Sequence, residues 1–238
     1  MDNFSIKFEK FWQAFYAHNG YARVLEGLKN TMLIAVFGLI IGIVIGTAIA
    51  ATLVHPAKSR LSRFLKGICN FYVSLFRGTP IVVQLLVTYY VVLPLLQINM
   101  SSLNVCILVF GLNSGAYVSE IMRGGILSVD PGQMEAGRAL GLGYGVSMGK
   151  IVVPQAVKNI LPTIGNEFIS LIKETSVVSF VGAIDLYVAF NYIGTNNYEF
   201  MVPYLFMALI YIVLVLIISS LIKAMERSLR KSDRSHQA

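Results

Sequence analysis

The stretch from Thr31 to Val54 reads TMLIAVFGLIIGIVIGTAIAATLV and contains no charged residue. As a helix it is long enough to cross about 30 Å of hydrocarbon. Gly38, Gly42 and Gly46 recur at every fourth position within it. That spacing puts hydrogens in place of side chains along one face and lets a second helix approach closely. The whole chain shares this character, with 56% hydrophobic and 13% charged residues, where a soluble domain carries roughly 25% charged. Apolar residues gathered into long uncharged runs describe an all-α, polytopic membrane protein.

On the C-terminal side, His55 to Lys66 contains Lys58, Arg60, Arg63 and Lys66 and no acidic residue. The positive-inside rule makes this loop cytoplasmic. An apolar stretch from Phe71 to Leu96 follows, interrupted by Arg77-Gly78-Thr79-Pro80. A polar break from Gln97 to Asn104 separates it from a third span that ends near Ser119. Arg123 to Lys150 is polar, Gly-rich and too hydrophilic to span. Ile151 to Ile184 is apolar apart from Glu167, Lys173 and Glu174, and its latter two thirds read as a fourth span. Asp185 to Glu199 reads as an outer loop, acidic at both ends and without a base. Phe200 to Ile222 is the fifth span, and the tail carries Lys223, Arg227, Arg230, Lys231 and Arg234. Five spans with this charge bias place the N-terminus outside and the C-terminus inside. The expected organisation is an extracytoplasmic or interfacial segment over 1–26, a transmembrane domain over 27–226 with a cytoplasmic loop at about 123–154, and a basic cytoplasmic tail over 227–238.

Ahead of the first span, Phe4, Phe8, Phe11, Trp12 and Phe15 recur at helical spacing among Lys7, Glu9 and Lys10. Such a helix lies in the membrane interface or packs on the bundle, and the pattern suits both. The net charge of +7 sits beside apolar runs rather than in a stripe between aromatic platforms, so it orients the protein in a membrane and does not point to nucleic acid. Cys69 and Cys106 have no metal or redox spacing. The first apolar run starts too late and is too long for a cleavable signal peptide. No short repeat or low-complexity segment appears. His18, His55 and His236 all fall outside the spans, and no nucleophile with a nearby base suggests an enzyme.

The most informative polar stretch is Glu135-Ala136-Gly137-Arg138-Ala139-Leu140-Gly141, nine residues, then Ile151-Val152-Val153-Pro154. Pro131 and Gly132 mark a helix start, with Glu135 expected in the first turn, where the helix dipole favours a carboxylate. Ala136, Ala139 and Leu140 form a small apolar face that can dock in a partner's groove. Periodicity alone describes an ordinary amphipathic loop helix equally well.

The spacing resembles the coupling-loop signature of bacterial ATP-binding-cassette importer permeases: Glu-Ala-Ala, three residues, Gly, nine residues, Ile-x-Leu-Pro. Gly137 replaces the second alanine and Val153 the leucine, both keeping small or apolar character. Other stretches are similar to the polar amino-acid branch of that family, which includes histidine, glutamine, glutamate and arginine permeases. They are Tyr72 to Pro80, Gly115-Ala116-Tyr117 with Glu120 and Arg123-Gly124-Gly125, and Leu161-Pro162 with Gly165 to Ser176. The similarity runs from about Gly27 to Glu226. It implies a type I importer permease bundle that pairs with a second permease subunit, as a homodimer or heterodimer. It also implies a cytoplasmic ATPase dimer carrying ATP and Mg, docked on Glu135, Ala136, Gly137, Ala139, Leu140 and Gly141. An extracytoplasmic binding protein would deliver a polar amino acid. This chain has no Gly-x-x-x-x-Gly-Lys-Ser/Thr loop; Gly145 to Lys150 is one residue short and is followed by Ile151. It is therefore expected to be a transport subunit without an ATP site or cofactor of its own.

Ionisable groups inside spans are costly and mark function. Glu167 suits an ammonium group or a basic side chain, and Asn113 and Ser114 in the third span suit hydrogen bonds to a carboxylate or amide. In the resembling family these stretches line the membrane binding site of members that have one. A purely structural role, with Glu167 paired to Lys173 or Arg77, fits the same residues. Arg77 lies near the cytoplasmic end of its span, where it can snorkel. An ion-coupled secondary transporter or channel is the alternative of another class, against which the coupling loop and the lack of an inverted repeat count.

Overall fold

The computed structural model describes residues 3–17, 19–56 and 59–234. His18, Lys58, His236 and the end of the tail lie outside the described residues. The described residues form helices joined by short turns: α1 (Asn3–Ala17), α2 (Gly20–Val54), α3 (Arg60–Gly78), α4 (Ile81–Leu95), α5 (Ser102–Leu127), α6 (Pro131–Ala139), α7 (Tyr144–Val181), α8 (Leu186–Asn197) and α9 (Met201–Arg234). Hydrocarbon offers no water to a frayed backbone, so spans satisfy their N–H and C=O groups within the helix. Three of these helices are long and apolar enough to cross a membrane, or five spans result if the bent pairs α3–α4 and α7–α8 each count as one.

The glycine stripe of α2 packs on α5. A Cβ at Gly42 would come within 2.6 Å of Ser114 Oγ, and one at Gly46 within 2.7 Å of Val118 Cγ1. The fit is reciprocal, since a Cβ at Gly111 would meet Ile41 Cγ2 at 2.6 Å. Backbones this close maximise van der Waals contact where lipid supplies no hydrophobic drive between helices. By contrast, only 6% of the most apolar stretch of α9 is buried, so α9 stands at the periphery with its side chains available to lipid.

Two prolines set the irregular turns. Pro94 and Pro154 lack an N–H and crowd the carbonyl four residues earlier. Each follows a widened turn, over Thr88–Val92 and Met148–Val152, closed by bonds from Leu93 N to Thr88 O and from Val153 N to Met148 O. At Thr79–Pro80 the chain leaves helical geometry altogether, because the residue before proline avoids the α region. Thr79 lies at φ −125°, ψ 145°, and α3 and α4 diverge by 105°.

Several boundaries differ from the sequence reading. The first span extends back to Gly20, and the third runs past Ser119 through Arg123 to Leu127, so the polar segment opens inside a helix. The expected outer loop at Asp185 to Glu199 is mostly α8, bent 56° from α7. Leu186, Ala189, Phe190 and Ile193 turn inward at helical spacing, and Asp185 Oδ1 caps the helix by accepting from Val188 N at 2.9 Å. This helix is short and ends in polar residues, so charge counting mistook it for a loop.

The aromatic N-terminal helix α1 packs on the bundle. Phe11 stacks on Phe206 with centroids 4.6 Å apart, and Lys7 pairs with Glu199 at 3.4 Å. Its other face keeps Phe4 and Tyr16 exposed.

Candidate functional site

Two regions hold the residues singled out from the sequence. The first lies where α2, α5 and α7 meet. Ser114, fully buried on α5, donates its hydroxyl to Glu167 Oε1 on α7 at 3.0 Å. The backbone of Gly42 backs the same serine, so the hydroxyl is held by packing as well as by its bond. Among the described residues Glu167 has no ion pair. Lys173 is exposed farther along α7. Arg77 is engaged elsewhere, 3.8 Å from Glu120 and over the ring of Tyr117 at 5.4 Å. Arg123 completes that cluster through Glu120, Nη2 to Oε2 at 2.8 Å and Nε to Oε1 at 3.3 Å.

Asn113 is next to Ser114 in sequence but points about 100° away around the helix. Its Nδ2 donates to Gln84 Oε1 at 3.0 Å and to Phe76 O at 3.4 Å. Gln84 Nε2 in turn donates to Phe76 O at 2.8 Å and Thr79 O at 3.0 Å. These amides take up carbonyls that the Thr79–Pro80 break removes from the helical ladder, groups that are costly to leave unpaired away from water. Glu167 and Ser114 are therefore brought together, whereas Asn113 has both amide hydrogens committed to the broken second span. Sequence reasoning missed Gln84, although its place four residues after Pro80 is where a side chain can reach back to the break. It also missed the Glu120–Arg123 pair, whose i,i+3 spacing was visible.

The second region is the polar loop. Asp130 opens α6 by accepting from Gly132 N at 2.8 Å, and Pro131 is the first helical residue. Glu135 therefore lies in the second turn, and the carboxylate at the helix start is Asp130, which corrects the expected placement. The helix ends on Gly141 at φ +81°, with Leu142 N bonded to Gly137 O and Gly141 N to Arg138 O, both at 3.0 Å. This paired closure requires the left-handed conformation that glycine adopts without strain. Glu135, Ala136, Ala139 and Gly141 are exposed, and Leu140 is 81% exposed. Among Glu135 to Gly141, Gly137 alone is buried, against Ser147 and Ile151 at the start of α7. A bond from Gln155 Nε2 to Gln133 Oε1 at 3.2 Å also ties α7 to α6.

Residues 38–231 match the family described as the binding-protein-dependent transport system inner membrane component. The chain belongs to this family. Among curated relatives, it is 40% identical over 210 residues to the arginine transport system permease protein ArtQ of Bacillus subtilis, covering 88% of this chain and 94% of that protein. It is 38% identical over 206 residues to the putative glutamine transport system permease protein GlnP of Rickettsia conorii, covering 87% and 92%. Among solved structures, the permease superposes with a TM-score of 0.82 and 35% identity on a chain of an amino acid ABC transporter crystallised with histidines, covering 90% and 97%. It superposes with a TM-score of 0.67 and 20% identity on a chain of the MetNI methionine ABC transporter in an inward-facing conformation, a likeness of fold alone. The fold is thus that of type I importer permeases, and the family role is transport. The ion-coupled carrier and channel alternative gives way to this assignment.

Proposed function

We propose that this permease subunit imports polar amino acids across the cytoplasmic membrane, driven by a separate ATPase that binds ATP and Mg and docks on the exposed face of α6. The observation that carries the substrate reading is Glu167. It is a carboxylate within the membrane-spanning bundle that accepts a serine hydroxyl and has no cation paired to it among the described residues. An intramembrane carboxylate left without a cation is suited to receive one from the substrate. The α-ammonium group of an amino acid, or a basic side chain, supplies it, and Ser114 orients the receiving oxygen. Asn113 contributes by holding the break beside the site in shape.

Energy enters through α6. Its exposed Glu135, Ala136, Ala139, Leu140 and Gly141 form the docking face, and the inward contacts of Gly137 pass a push from the ATPase to α7, which carries Glu167. A second permease subunit completes the pathway, and an extracytoplasmic binding protein delivers the amino acid. The excess of Lys and Arg in the loop after α2 and in the tail supports an N-terminus outside and a C-terminus inside.

The test is ATP hydrolysis by the complex purified through this chain, measured with binding protein and individual amino acids, in wild type and Glu167→Gln. Stimulation by a polar amino acid that weakens or re-ranks in Glu167→Gln supports the reading. A variant with unchanged rates for every amino acid tested removes Glu167 from substrate recognition.

A further inference from the structure

Two apolar clefts flank the C-terminal end of α2. The larger, about 440 Å³, lies between α2, α5 and α7 and is lined by residues such as Ala50, Val54, Met122, Ile126, Val157 and Ile160. The smaller, about 350 Å³, lies between α2 and α3 against Thr52, Ser62 and Leu65. Ala51 and His55 line both, so the clefts are neighbours on either side of one helix turn. Their sizes fall in the range of about 300–1,000 Å³ typical of small-molecule sites. No carboxylate lines either cleft, and the larger offers almost nothing to hydrogen-bond, so neither suits a zwitterionic amino acid.

His55 lines both clefts, and the basic Lys66 follows the lining residue Leu65 on α3. Lys66 Nζ reaches Leu53 O at 2.7 Å, one residue before Val54, and an ammonium has three hydrogens to donate. The ring of His55 meets that of Tyr144 edge-on at 5.6 Å. Residues 55–66 contain no acid. Apolar clefts beneath a basic rim complement a molecule with two hydrocarbon tails and one negative head. Basic pockets between helices on the cytoplasmic side of a membrane are where anionic headgroups bind.

We infer that the end of α2 is a binding site for an anionic phospholipid, with one acyl chain in each cleft and the phosphate between Lys66 and His55. The inference rests on the proposed orientation, which puts this rim at the inner leaflet. Tyr144 and Met148 line the larger cleft and belong to the start of α7, against which α6 packs. A lipid seated there fills the space beside the same turns that carry α6.

The site is tested on the complete transporter in nanodiscs containing phosphatidylglycerol with a photoreactive group on its acyl chain, followed by peptide mapping of this chain. Adducts are expected on the segments holding Met122 and Met148 as well as on the lipid-facing surface of α9 near Leu216. With the phosphatidylcholine analogue, cleft adducts should fall about fivefold, the effect of one basic residue near a membrane surface, while α9 adducts hold steady. Ala51→Trp, which blocks both clefts, should remove cleft adducts only, and Lys66→Gln should abolish the headgroup preference. Equal cleft labelling by the two lipids, labelling that survives Ala51→Trp, or no cleft labelling at all overturns the inference. A nanodisc presents both leaflets with the same lipid, so the outcome does not depend on orientation. Orientation is read separately from the access of an impermeant thiol reagent to Ser228→Cys in sealed spheroplasts, compared with the parent chain.

Discussion

Gly137→Ala installs the residue that the coupling-loop motif ordinarily carries, yet in this chain it should damage the loop. A Cβ there would lie 2.8 Å from Ser147 Oγ, 3.2 Å from Ser147 Cβ and 3.1 Å from Ile151 Cδ1. The Ile151 methyl ends a flexible chain and moves at little cost. Ser147 Oγ, which is buried without a hydrogen-bond partner, can rotate away. Ser147 Cβ is fixed to the backbone, so α6 must shift by some tenths of an ångström. Overpacking of this kind costs about 1–3 kcal/mol, and the better helix propensity of alanine returns about 0.8–1.0 kcal/mol. The net destabilisation is about 1 kcal/mol, or about 2–4 °C in melting midpoint. Ser147→Ala should be neutral or stabilising, since it removes a buried hydroxyl with no partner. Ser147→Gly removes that Cβ, so combining it with Gly137→Ala should recover most of the overpacking loss, giving a coupling energy of about 1–3 kcal/mol in a double-mutant cycle. The assay pairs thermal stability of the purified complex with ATP-driven uptake, which the displaced docking face should lower together with stability. Additive effects in the cycle, or Gly137→Ala at wild-type stability and uptake, would refute the packing argument.

Four further outcomes follow from the geometry. Asn113→Leu should strand the Gln84 amide oxygen at the broken second span, leaving Phe76 O with Gln84 Nε2 alone, and cost about 1–3 kcal/mol in stability; a thermal midpoint equal to wild type contradicts the role given to Asn113. Asp130→Ala should cost about 1 kcal/mol through loss of the α6 cap, read as a lower midpoint and weaker retention of the ATPase on an affinity column. Gly42→Leu should prevent α2 from reaching α5 and abolish assembly in the membrane, whereas Gly67→Leu, on an open surface, should leave assembly intact. Glu135→Arg should uncouple ATP hydrolysis from uptake with the fold preserved, because the side chain is exposed; full ATP-dependent uptake would remove Glu135 from docking.

The membrane class, the apolar runs and the polar loop were legible in the chain itself, because each depends on local quantities. Uncharged length decides whether a segment can leave water, and loop charge biases its direction of insertion. The spacing from Glu135 to Pro154 carried the family. Helix ends were less legible. Arg123 reads as the start of a polar loop, but its pairing with Glu120 one turn earlier lets α5 continue to Leu127. Asp185 to Glu199 reads as a loop because acidic ends and short length mask an apolar face that only α2, α9 and α1 can cover.

The sequence by itself determined which runs are uncharged and apolar enough to enter a membrane, and that the second run is interrupted at Thr79–Pro80. Each follows from solvation and backbone chemistry acting over a few residues. Only the tertiary structure decided that Glu167 meets Ser114 while Asn113 turns to the break, that Arg77 belongs to Glu120, and that Gly137 packs against Ser147 and Ile151. Those choices depend on how helices distant in sequence rotate and approach one another. Helical periodicity gives the faces of each helix but not the partner that covers them.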